Sequence, residues 1–215
     1  TELFAYLASH ALSVFDIAYE GVHLDTTSLS FYGLYSQKKK SDLPTVEQEQ
    51  PSEEDYEPKP IEITYGYSKD NRPDLKQAIV SLICTHQSSI PVWIQSLDGN
   101  ISDKKSFPEA IQNYLEQVKA NESLYFIMDS AFYTQENIKK TSTLYWISRV
   151  PENSKEVKQL IQKTKKSEMK VLEGEVGYRL KETSSQYGGI KQRWIVIYSE
   201  QAFERERKTF VKRLK

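Results

Sequence analysis

Two aspartates sit in matching surroundings. Asp25 lies within Gly21-Val22-His23-Leu24-Asp25-Thr26-Thr27-Ser28-Leu29-Ser30, and Asp129 lies near the end of Leu124-Tyr125-Phe126-Ile127-Met128-Asp129-Ser130. Both runs have the apolar, β-branched and aromatic character of strands. A carboxylate in such a run is costly unless it is paired, hydrogen-bonded or bound to a metal. Brought together, the two would repel, and a divalent cation resolves that repulsion. Hard carboxylate oxygens suit Mg²⁺ or Mn²⁺, and Mg²⁺ needs only one or two protein carboxylates when substrate phosphates supply other ligands. Such a site supports phosphodiester cleavage, in which a nucleophile is activated and a leaving oxygen stabilised. The alternative is that each aspartate caps a strand end or a local turn.

Further candidates are cationic or polar. Ser68-Lys69-Asp70-Asn71-Arg72-Pro73-Asp74-Leu75-Lys76 offers Lys69, Arg72 and Lys76 to phosphates and Asn71 to other polar groups. It also reads as an ordinary charged turn. Asp98, Asn100 and Asp103 could tune a metal site from outside its ligand shell, although Asp98-Gly99 is equally a turn. Arg149 leaves a buried-type strand and could meet a phosphate or a carboxylate. Lys38, Lys39 and Lys40, and later Lys163, Lys165 and Lys166, read as solvated before they read as DNA contacts. His10, His23 and His86 show no zinc spacing, and one cysteine excludes a cysteine-rich zinc site. Trp93 and Trp146 read as core. Trp194 could stack on a flipped base, but packing is the preferred reading.

The elements that must position these residues follow from periodicity. Residues 1–19 carry Leu3, Phe4, Leu7, Ala11, Leu12, Val14, Phe15 and Ala18 at helical spacing, with Gly21 as the stop. Val22–Phe31 is the first strand. Residues 36–60 mix lysines, acids and Pro44, Pro51, Pro58 and Pro60, a solvated flexible loop with little core potential. Ile61–Tyr67, Gln77–Thr85 and Ile90–Leu97 read as an antiparallel meander. Ser106 with Glu109 forms a capping box for a helix burying Phe107, Ile111, Leu115 and Val118. Leu124–Asp129 is a buried parallel strand, followed by a helix from about Thr134 to Lys140 and a strand, Leu144–Ser148. Asn153 with Glu156 caps a further helix. Three antiparallel strands, a helix and a parallel strand place the first and fourth strands side by side, so Asp25 and Asp129 converge at one end of a mixed α/β sheet. After Lys166 the pattern turns β-rich: Val171–Leu180 and Arg193–Ser199 read as strands, with Gln186-Tyr187-Gly188-Gly189 turning between them. The expected division is therefore a core over 1–166 and a partial β-rich insertion with a charged helix over 167–215.

The 215 residues can bury one sizeable core. A net charge of −1 neither demands nor excludes nucleic acid. The single cysteine, Cys84, reads as a buried small hydrophobe and fits a reducing compartment. No apolar run reaches the roughly 18 residues of a membrane span.

Taken together, several motifs resemble one family. Leu24-Asp25-Thr26-Thr27-Ser28-Leu29-Ser30 is similar to the first catalytic-aspartate motif of DDE-type insertion-sequence transposases, and Met128-Asp129-Ser130-Ala131-Phe132-Tyr133 to the second. Ile63–Asp74, Leu97–Asp103, Trp146–Pro151 and Tyr187–Glu200 resemble segments of the branch with a β-rich insertion. The resemblance implies a ribonuclease-H-like fold and Mg²⁺- or Mn²⁺-dependent cutting and joining of transposon-end DNA to target DNA. It also implies a bacterial, cytoplasmic, nucleoid-associated setting, and a homodimer when the protein is full length. Asp25 and Asp129 would be the first two acids of the catalytic triad.

The family's third acid is a glutamate in a Tyr-x2-Arg-x3-Glu-x6-Lys helix. Counting from Tyr198, the arginine and glutamate positions hold Gln201 and Arg205, so Glu200, Glu204 and Glu206 are poor candidates. The expectation is an internal fragment that ends before the third acid and is inactive alone. Rival readings are a ribonuclease-H-like nuclease without strand transfer, and a truncated DNA-binding or inhibitory module. Deleting residues 44–58 should leave the thermal unfolding midpoint nearly unchanged, because the stretch offers little to a core. A drop of many degrees would show that it packs.

Overall fold

The structure, a computed structural model, describes residues 2–33, 35, 60–68, 70–118 and 124–214; the loop expected at 36–60 lies almost wholly outside them. Contacts divide the chain into two compact units: Thr1–Phe132 with Thr143–Ser148, and Tyr133–Ser142 with Arg149–Lys215.

The first unit is built on a five-stranded sheet in the order β3-β2-β1-β4-β5. Its strands are β1 (Gly21–Phe31), β2 (Lys76–Thr85), β3 (Pro91–Leu97), β4 (Tyr125–Met128) and β5 (Tyr145–Ser148). The first three pair antiparallel, and β4 joins β1 and β5 in parallel. This is the arrangement the order of elements predicts. Along β1, Val22, Leu24, Thr26 and Ser28 are buried while His23, Asp25, Thr27 and Leu29 are exposed, the two-residue alternation of a strand with one packed face. Val22, Leu24, Ile83, Trp93, Phe107, Ile111, Tyr114 and Phe126 form the core. Helices α1 (Glu2–Val14) and α2 (Asp103–Val118) pack against each other, α1 on β3 and α2 on β1. Tyr114 is fully buried with its hydroxyl 3.0 Å from that of Tyr19, and burial pushes its pKa upward.

Several boundaries differ from expectation. The first helix stops at Val14 rather than running to 19. Asp16 takes a left-handed φ of 49°, Ile17 N–H donates to Leu12 O at 2.9 Å, and Asp16 N–H donates to Ser13 O at 3.3 Å. That is a Schellman closure with aspartate where glycine is usual. Helix α2 begins at Asp103, because Ser102 O already accepts from Lys105 and Ser106 N–H groups, so Ser106 is not its cap. Ile61–Tyr67 is not a strand. It is an extended segment joined to β2 by one bridge, Thr64 to Gln77.

The bridge is tightly built. Thr64 and Gln77 exchange backbone hydrogen bonds at 3.1 and 2.8 Å. Gln77 Nε2, fully buried, donates to Gly99 O at 2.7 Å and Tyr67 O at 3.2 Å. Gly66 and Gly99 allow this approach: a Cβ at Gly99 would stand 1.9 Å from Gln77 O, and one at Gly66 would stand 2.0 Å from Gly99 O.

The second unit holds α3 (Gln135–Lys140), α4 (Lys155–Lys163), a sheet of β6 (Lys170–Val171), β7 (Tyr178–Tyr187) and β8 (Ile190–Ser199), and α5 (Glu200–Leu214). It thus gathers α3 and α4, assigned to the core by sequence, with the β-rich segment. Thr134 Oγ1 caps α3 through Asn137 N–H at 3.2 Å, and Ser154, not Asn153, caps α4 through Val157 N–H at 3.1 Å. Tyr187 pairs with Ile190 across Gly188-Gly189, whose φ values of 64° and 84° suit a two-residue type I′ hairpin turn. Among the described residues no helix is long and apolar enough to cross a membrane.

Candidate metal and nucleic-acid site

The parallel pairing of β1 and β4 runs Gly21 to Tyr125, Val22 to Phe126, His23 to Ile127 and Leu24 to Met128. Asp25 and Asp129 are the residues that directly follow the last pair, and Asp129 lies just past the end of β4. Neighbouring strands lie about 4.8 Å apart. Both aspartates share the parity of exposed His23 and half-buried Ile127, so both leave the sheet on the same face, and both are exposed. Their alternating neighbours Leu24 and Met128, 2% and 5% exposed, anchor the opposite face. Apolar packing therefore decides where the two carboxylates emerge.

Local hydrogen bonds orient each group. Thr26 N–H donates to Asp25 Oδ1 at 2.7 Å, and Ala131 N–H donates to Asp129 Oδ1 at 2.8 Å, closing an Asx-type turn. Ser148 Oγ, at the end of β5, donates to Asp129 O at 2.8 Å and pins the backbone. The donor set is two hard oxygen groups, one on β1 and one just past the end of β4, which fits a Mg²⁺- or Mn²⁺-type ion that keeps water or phosphate in its other positions. Among the described residues no group of three or more His, Cys, Asp and Glu side chains is gathered to hold a metal.

The cationic candidates lie elsewhere on the first unit. Lys76 pairs with Phe31 at the far end of β1, about 20 Å beyond Asp25 at roughly 3.3 Å per residue. Its ammonium donates to Tyr35 O at 2.8 Å and lies 6.0 Å from the Tyr65 ring centroid. Arg72 makes a two-pronged pair with Asp74 at 2.8 and 2.7 Å, donates to Tyr32 Oη at 3.1 Å, and has its pKa raised by those bonds. Asn71 supplies a left-handed turn position, φ 56°. Lys69 and Lys38–Lys40 lie outside the described residues, and only the backbone of Asp103 is described. Asp98 Oδ1 accepts from Glu62 N–H at 2.7 Å, which ties the 61–67 segment to the turn after β3, while Asp98 O closes that turn with Ile101 N–H at 3.1 Å and Asn100 is exposed.

In the second unit Arg149 pairs with Glu152 at 2.5 Å. Lys166 bonds Glu200 at 2.7 Å and sits 4.4 Å from the Tyr198 ring centroid. Trp194 is buried, and its indole N–H donates to Gln192 Oε1 at 3.0 Å, which also accepts from Tyr133 Oη at 2.5 Å. Trp194 is therefore packed, not presented for stacking.

Sequence reasoning missed one pairing. His23 and His86, both exposed, approach with Nε2 and Nδ1 2.7 Å apart. Burial, then the nearby His86, hold His23 below the ordinary histidine pKa. Only the β1–β2 register could have revealed the contact.

A mixed sheet of three antiparallel strands followed by two parallel ones is the ribonuclease-H-like architecture. Residues 34–214 match the family described as the transposase DDE domain, and the chain belongs to that family. Asp129 falls inside the matched stretch and Asp25 precedes it. The chain is also similar to solved transposases. A piggyBac transposase synaptic complex with hairpin DNA is 10% identical, with TM-score 0.41 over 84% of this chain and 33% of that one. A Mos1 mariner paired-end complex with Mn is 12% identical, with TM-score 0.34 over 70% of this chain and 41% of that one. A Mos1 strand transfer complex is 11% identical, with TM-score 0.34 over 70% and 40%. The chain thus spans well under half the length of each. No curated protein matches it.

Proposed function

We propose that this chain is the catalytic core of a DNA transposase, acting on transposon-end DNA and joining it to target DNA. The observation that carries the reading is the parallel β1–β4 pairing that ends at Leu24 and Met128, the residues immediately before Asp25 and Asp129. Membership of the transposase DDE domain family supports it. Asp25 and Asp129 would hold Mg²⁺ or Mn²⁺, which when bound supplies charge stabilisation at a phosphodiester and lowers the pKa of an attacking water or 3′-hydroxyl. Thr26 N–H and Ala131 N–H fix the carboxylates before the ion arrives, so little side-chain freedom is lost on binding.

Lys69, Asn71, Arg72 and Lys76 are the proposed DNA-backbone contacts of the first unit. To reach a phosphate, Arg72 exchanges Asp74 for it, a swap between two bidentate acceptors. Arg149 is the proposed contact of the second unit and must likewise leave Glu152. These side chains position the strand and carry no sequence information themselves.

The test is Mn²⁺ binding by water-proton relaxation. The wild-type chain should bind Mn²⁺, Asp25→Asn and Asp129→Asn should each bind at least about tenfold more weakly, and circular dichroism should be unchanged. Wild-type Mn²⁺ affinity in the double variant would remove the site.

A further inference from the structure

The His23–His86 contact has the form of a metal clamp. The two residues are 63 positions apart, and their side chains are exposed, so no core packing forces them together. The backbone does. Val22 pairs with Thr85, and His86 N–H donates to Gly21 O at 2.9 Å, so each histidine is anchored beside a paired residue. The turn after His86 is itself braced: Thr85 N–H donates to Ile90 O at 2.9 Å, Ile90 N–H donates to Thr85 Oγ1 at 2.9 Å, and Ser89 N–H donates to Thr85 O at 3.1 Å. The rings stand 4.9 Å apart between centroids and 33° from parallel. The facing nitrogens, His23 Nε2 and His86 Nδ1, lie within hydrogen-bond distance at 2.7 Å.

We propose that His23 Nε2 and His86 Nδ1 together bind a borderline transition-metal ion of the Zn²⁺ class. Imidazole nitrogen favours Zn²⁺, Cu²⁺ and Ni²⁺, whereas the carboxylate pair favours Mg²⁺ and Mn²⁺. Two metal–nitrogen bonds of 2.0–2.1 Å at a tetrahedral angle span about 3.3 Å between nitrogens. The rings need part by only about 0.6 Å from their present 2.7 Å separation, a motion open to exposed side chains. Water fills the remaining positions, since no third metal-ligating side chain is gathered there among the described residues. Cys84 is opposite His23 in the β1–β2 register and is the residue to control for. Asp25 lies two residues further along the same face of β1, so the chain would carry a hard and a borderline site side by side. This inference stands independently of the proposed catalytic role.

The experiment is a Zn²⁺ titration of the purified chain against a chromogenic zinc chelator, with ¹⁵N spectra of the histidine rings. One equivalent should bind, shift His23 Nε2 and His86 Nδ1, and resist millimolar Mg²⁺. His23→Gln and His86→Gln should each weaken binding at least about tenfold, with unchanged circular dichroism. Asp25→Asn and Cys84→Ser should retain it. Wild-type Zn²⁺ affinity in His86→Gln would overturn the assignment, and so would its loss in Cys84→Ser alone, which would make the thiol the ligand.

Discussion

Asp25→Ala and Asp129→Ala should each reduce metal-dependent nicking of transposon-end DNA by at least about 10²–10³-fold in any polypeptide that carries this domain and cuts DNA. The magnitude follows from losing several kcal/mol of charge stabilisation at the phosphodiester, at about 1.4 kcal/mol per tenfold. Both aspartates are exposed, and each accepts a neighbouring backbone N–H, so the fold should survive either change. Substitution of Thr27, exposed two residues beyond Asp25, serves as a control for the face of β1. The measurement is single-turnover cleavage of a labelled duplex in Mg²⁺ and in Mn²⁺, with thermal unfolding alongside. Cleavage by the double variant at the wild-type rate would show that the aspartates only shape the sheet end.

Gly99→Ala should be the most damaging single methyl group in the first unit. The added Cβ would meet Gln77 O at 1.9 Å and Thr64 O at 2.7 Å. Both are backbone atoms committed to the Thr64–Gln77 bridge, so neither can swing aside as a side chain would. Relief requires the bridge to open, which also strands the buried Gln77 amide that donates to Gly99 O. Overpacking alone costs about 1–3 kcal/mol, and the stranded amide raises the expected loss to about 3 kcal/mol or more. Urea unfolding followed by tryptophan fluorescence, to which buried Trp93 of this unit contributes, reads this. A loss below about 1 kcal/mol would mean that the Glu62–Tyr67 segment yields without opening.

What could be read from the sequence was whatever repeats locally. The alternation Val22, Leu24, Thr26 against His23, Asp25, Thr27 announces a strand with one packed face, and the order of elements places β1 beside β4. The Gly188-Gly189 hairpin was legible for the same reason, because two consecutive left-handed residues have few other uses. What escaped depends on contacts between distant segments or on a residue in an unusual role. Asp16 ends α1 in a conformation that glycine normally takes, so the helix seemed to run on toward Gly21. Gly99 looked like a turn glycine beside Asp98, whereas it is needed because backbone crowds it. Ile61–Tyr67 has strand composition, yet its hydrogen bonds go to a single bridge, to the Gln77 side chain and to the Asp98-Gly99 turn. Trp194 and the histidine pair show the limit for site residues: exposure and partnership across β7–β8 or β1–β2 are tertiary facts that spacing does not encode.

The alignment of Asp25 with Asp129 has a further consequence. Nothing in it can be slightly wrong. A strand shifts only in whole residues, and each shift moves a side chain about 3.3 Å and turns it through the sheet to the other face. Substitutions around the pair can be absorbed as long as the count from Gly21 and from Tyr125 is kept, because the count and not any one neighbour holds the geometry. The site behaves like a ratchet with discrete teeth: tolerant of what each tooth is made of, and intolerant of one tooth more or less.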